Sequence, residues 1–154
     1  MISRRLVGLV AVVVLVGAGC SGTAEPDGSL LAEEVHADLV GIAERHLGEP
    51  SRHTLTEDGS LCRGVFTSVD TSVQLHTEWD LEDPVDPRAA AVLDDAESYL
   101  RTRNDATEVG RTVFDVSRKP QVFATGDFEE TTVTGPGPNL VAFELSIFTN
   151  GPCR

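Results

Sequence analysis

Four histidines, an acidic loop and three cysteines are the residues here whose types and spacing invite chemistry. His36 and His46 share one helical stretch but lie ten apart, His53 follows in a loop, and His76 falls on the polar face of a strand. A metal site would need several of these imidazoles to converge, and the spacing instead predicts scattered surface histidines. Asp80, Glu82, Asp83 and Asp86 could gather oxygen ligands for calcium. They lack the spaced acidic pattern and the glycine of an EF-hand loop, so helix capping and a solvated loop are expected. Trp79, beside this loop, falls on the apolar face of its strand and is expected as a core aromatic, not a stacking platform. The sequence has no Gly-x-Ser-x-Gly elbow, Ser-x-x-Lys, His-Glu-x-x-His or phosphate-binding glycine loop, which removes the common hydrolase and nucleotide signatures. No catalytic residue, metal or cofactor is therefore assigned.

The cysteines separate by context. Leu6 to Cys20, LVGLVAVVVLVGAGC, is an uncharged apolar run preceded by Arg4 and Arg5 and closed by small residues, the three regions of a secretory signal peptide. Val16-Gly17-Ala18-Gly19-Cys20 resembles the lipobox of bacterial lipoproteins, departing from it at Gly17, where that family usually has leucine. The resemblance implies a diacylglyceryl thioether on Cys20, cleavage before it by signal peptidase II, and loss of residues 1–19. The 14 residues from Leu6 to Gly19 fall short of the roughly 20 that span a bilayer core. An uncleaved anchor and release by an ordinary signal peptidase stay open beside the lipid anchor, but only the lipid anchor uses Cys20. Two or three acyl chains would hold the protein durably at the membrane, where one chain would not. Ser3-Arg4-Arg5 reads as plain n-region charge and not as a twin-arginine signal.

With Cys20 given to lipid, Cys62 and Cys153 remain, with no Cys-x-x-Cys between them. In an exported chain they are expected to form a structural disulfide. It would close a loop of about 90 residues, for which chain entropy gives roughly 4 to 5 kcal/mol. The pairing requires the last strand to end beside the start of the strand that follows Leu61.

The whole chain carries a formal charge of −13. Once Arg4 and Arg5 are gone, 25 acidic residues face 10 basic ones, a charge of −15. Such a surface repels nucleic acid and anionic headgroups, so attachment would rest on the acyl anchor alone.

The elements follow from periodicity. Residues 20–29 read as the lipidated cysteine and a flexible tether, and 30–154 as a single globular domain. Leu30 to Leu47 is expected as a helix capped by Ser29, with Leu31, Val35, Leu39, Ile42 and Ala43 on its apolar face, ended by Gly48 and Pro50. Thr54 to Leu81 is strand-like, with Val73, Leu75, Thr77, Trp79 and Leu81 on one face. Asp86-Pro87 should start a second helix running to about Arg103. Strands are then expected at Arg111 to Ser117, Gln121 to Thr125, Phe128 to Thr134 and Val141 to Ile147. This order predicts an α+β fold, an antiparallel sheet with two helices on one face.

Small actinobacterial LppA-like lipoproteins are similar in length, lipobox and cysteine placement, and the resemblance implies an envelope lipoprotein. The expectation is a non-enzymatic binding or scaffolding module on the extracytoplasmic face of the membrane, with a small ligand or a basic protein as partner. An acidic inhibitor or immunity-type protein that blocks a basic enzyme, and an enzyme with an unfamiliar site, are the alternatives.

Overall fold

The computed structural model describes residues 28–58, 72–114, 117–138 and 142–151. Two helices and six strands alternate as α1 (Gly28–Leu47), β1 (Arg52–Asp58), β2 (Ser72–Leu81), α2 (Pro87–Thr102), β3 (Ala106–Phe114), β4 (Lys119–Gly126), β5 (Glu129–Thr134) and β6 (Phe143–Asn150). This is the expected α+β fold. The strands make one antiparallel sheet in the order β1-β2-β6-β5-β4-β3. A β1–β2 hairpin and a β3-to-β6 meander thus meet where β2 pairs with β6. Helix α2 carries the chain from β2 to the far edge of the sheet, and the meander returns it to the middle.

Both helices cover one face. Ala32, Val35, Leu39, Ile42 and Ala43 of α1 and Ala89, Val92, Leu93, Ala96 and Leu100 of α2 are buried against Trp79, Val122, Ala124, Val133, Leu145 and Ile147 of the sheet. Each large apolar side chain removed from water in this way contributes about 1.5 to 3 kcal/mol. The alternation expected in β2 holds: Leu75, Thr77 and Trp79 are buried, while Gln74, His76 and Glu78 lie on the other side, only half-buried. Trp79 is core, and its indole Nε1–H donates to the Gly48 carbonyl at 2.9 Å, tying the end of α1 to β2.

The caps and turns follow local chemistry. Asp86 accepts from the Arg88 backbone N–H at 2.8 Å, and Pro87 opens α2. The Arg88 guanidinium, bound to the same carboxylate, holds Asp86 below the usual carboxylate range. Gly48 adopts φ +82°, and its N–H reaches the Glu44 carbonyl, closing α1 in the left-handed conformation glycine tolerates best. The start of α1 differs from expectation: it begins at Gly28, so Ser29 lies inside the helix and the last two tether residues are helical. Strand β3 begins at Ala106, five residues before the expected start at Arg111. The strand expected after Leu61, together with Cys20, Cys62 and Cys153, lies outside the described residues.

Helix α1 is latched to α2 by polar contacts at their exposed seam. Tyr99 Oη donates to Asp38 at 2.6 Å, Arg103 reaches the Tyr99 oxygen and Glu34, and His46 meets Asp95 at 2.8 Å. The latch fixes how α1 lies over β2 and β6, where the one polar side chain of α1 buried among the described residues sits.

Candidate functional site

That side chain is His36, only 2 % exposed. Its helix position explains why. It lies four residues after Ala32 and three before Leu39, within the stripe that faces the sheet. The expectation of scattered surface histidines fails here, because the helical period carries His36 inward whatever its polarity.

Burying an imidazole costs several kcal/mol unless its nitrogens are bonded. The sheet supplies the partners from inward-facing positions of three strands. His36 Nε2 lies 2.9 Å from Thr77 Oγ1 on β2, and His36 Nδ1 lies 3.1 Å from Thr149 Oγ1 on β6. Thr149 Oγ1 is 2.8 Å from Thr131 Oγ1 on β5. Thr131 donates to the Phe148 carbonyl at 3.0 Å. At the other end, His53 Nδ1 lies 2.6 Å from Thr77 Oγ1. His53, expected in a loop, is instead in β1, where it stands opposite Thr77 in the register of the two strands.

Proton bookkeeping gives this chain a direction. The Phe148 carbonyl can only accept, so it takes the single Thr131 hydroxyl proton. Thr149 must then donate to Thr131, and it accepts from His36 Nδ1–H. With Nδ1 protonated, neutral His36 has a bare Nε2, which accepts from the Thr77 hydroxyl. Thr77 has no proton left, so it accepts from His53 Nδ1–H. Every bond runs the same way, and both imidazoles are fixed as the Nδ1–H tautomer. Neutral His53 therefore offers only the Nε2 lone pair, for which there is no partner among the described residues.

Burial, reinforced by His53 and His76, lowers the pKa of His36 from 6.5 to about 4. A proton added at Nε2 would face Thr77 and force its hydroxyl to turn away, with the charge held in the core. The His53 ring lies 6.0 Å from the His36 ring, and His76 sits across the sheet, edge-on to Phe148 at 6.3 Å.

Beside this chain is a groove of about 390 Å³ lined by Glu33, His36, Ala37, Val40, His53 and Leu75. Its walls are chiefly apolar, with the imidazoles and the Glu33 carboxylate as polar points. Thr77 is fully buried. A hydroxyl between two imidazoles is the arrangement that activates a nucleophile, but one sealed from solvent cannot reach a substrate. The arrangement can instead orient a ring and hold its tautomer.

The other candidates of the sequence do not join this site. His46 pairs with Asp95, and His76 lies 3.2 Å from Glu78 on the opposite face of the sheet. Among the described residues, no three histidine, cysteine or acidic side chains gather as a metal would require. In the acidic loop Asp83 accepts from the Val85 N–H and Asp86 caps α2, which are the capping roles expected. Compared with known proteins, the chain matches no family model, no curated protein and no solved structure.

Proposed function

We propose that this protein is a non-enzymatic binding module of the cell envelope, held at the extracytoplasmic membrane face by lipid on Cys20, and that the groove beside α1 receives its ligand. The anchor rests on the lipobox-like Val16-Gly17-Ala18-Gly19-Cys20 and the apolar run before it. The binding role rests on one observation: an apolar groove lined by His36 and His53, two imidazoles fixed by a one-way hydrogen-bond chain that leaves His53 Nε2 without a partner among the described residues. Ligand pockets combine such apolar walls with a few oriented polar groups. The sealed Thr77 supports binding over catalysis.

Two measurements test the two halves. The wild type should incorporate a palmitate analogue and stay with membranes, and Cys20→Ala should do neither; a labelled, normally matured variant would end the lipid reading. An uncharged solvatochromic naphthalene dye should bind the folded domain, and Ala37→Trp, which fills the groove, should abolish binding. Equal dye uptake by the variant would remove the groove from the account.

A further inference from the structure

Resting on the reading of this groove as the ligand site, we infer that its ligand is an apolar-bodied amine, bound as the ammonium cation between the Glu33 carboxylate and the lone pair of His53 Nε2. The polarity of the hydrogen-bond chain carries the argument. Because Thr77 must accept from His53 Nδ1, the one nitrogen that neutral His53, a residue of the groove lining, has left for a ligand is an acceptor and not a donor. The Glu33 carboxylate is also an acceptor only. His36, the remaining polar group of the lining, has both nitrogens engaged by threonines.

A ligand that itself brings acceptors, such as a carboxylate, would meet lone pairs and a negative charge. An alcohol could satisfy one acceptor with its single proton. An ammonium group has three donors and a positive charge, and its hydrogen bonds to Glu33 and His53 are of the stronger, charge-assisted kind. Its hydrocarbon body would lie on Ala37, Val40 and Leu75. The formal charge of −13 on the chain draws cations toward the surface and works against anions.

The test uses three probes of one length, hexylamine, hexanol and hexanoate, followed on the folded domain by NMR of the histidine rings and of the Ala37 methyl. Hexylamine should bind at least about tenfold tighter than hexanol, with shifts at His53 and Ala37, and hexanoate should bind weakest. Glu33→Gln, at an exposed position that leaves the fold intact, should cut hexylamine affinity about fivefold or more while leaving hexanol unchanged. Hexanol or hexanoate equal to or tighter than hexylamine at the same residues overturns the amine assignment and keeps the groove. Failure of all three to perturb Ala37 and His53 overturns the groove and the amine together.

Discussion

Acid should destabilise this domain through His36, by an amount the structure sets. In the unfolded chain His36 takes its proton at the ordinary value of 6.5, whereas in the fold burial delays it to about 4. Between those values the unfolded state binds more protons, so stability rises with pH and is lost as the pH is lowered across that window. Above 6.5 the stability is fully present, and below about 4 this group has no further effect. At roughly 1.4 kcal/mol for each tenfold change in proton affinity, the loss is about 3 to 4 kcal/mol, a large part of the 5 to 15 kcal/mol typical of a domain. Urea denaturation from pH 7.5 to 4 would measure it, with His36→Gln as the control. The variant should be about 1 to 3 kcal/mol less stable at neutral pH, because buried threonine hydroxyls lose their partners. It should also lack this part of the acid loss, since the carboxylates that titrate in the same range are common to both proteins. Parallel stability curves for the two proteins would refute the reasoning.

Two further predictions concern the frame. Cys62 lies four residues beyond the end of β1 and Cys153 three beyond the end of β6, and those strand ends flank the start of β2 at one end of the sheet. We expect peptide mapping of the protein prepared under oxidising conditions to find a Cys62–Cys153 bridge, with reduction costing roughly 2 to 5 kcal/mol; two titratable thiols in the native protein would contradict this. Gly126→Ala should destabilise by about 1 to 3 kcal/mol in thermal or urea unfolding, because the added methyl runs into the Asp105 carbonyl and the Phe128 ring. A change within experimental error would show that the turn relaxes at no cost.

Much of the frame was legible in the sequence. Asp86-Pro87 followed by Ala89, Leu93, Ala96 and Leu100 reads as a capped amphipathic helix, and the alternation of Leu75, Thr77 and Trp79 reads as a strand with one buried side. The early start of β3 was not, because Thr107 and Glu108 are exposed and a bulge interrupts the register there, which breaks the alternation. The candidate site was half legible. His36 lies at helical spacing from Ala32, Leu39 and Ala43, and that spacing is enough to place an imidazole on the buried stripe. Thr77, Thr131 and Thr149 likewise stand at inward positions of their strands. What no local pattern contains is that β2, β6 and β5 lie side by side, since Thr77 and Thr149 are 72 residues apart and meet at His36 only through the strand order.

The tautomers of His36 and His53 test the central claim most directly. A long-range proton–nitrogen correlation spectrum of the domain, with its histidines labelled with nitrogen-15, would read them at pH 8. Each neutral ring should carry its proton on Nδ1, as the one-way chain from His53 through Thr77, His36 and Thr149 to Thr131 requires. A proton on Nε2 of either ring would contradict the chain, and with it the acceptor that the groove is argued to present.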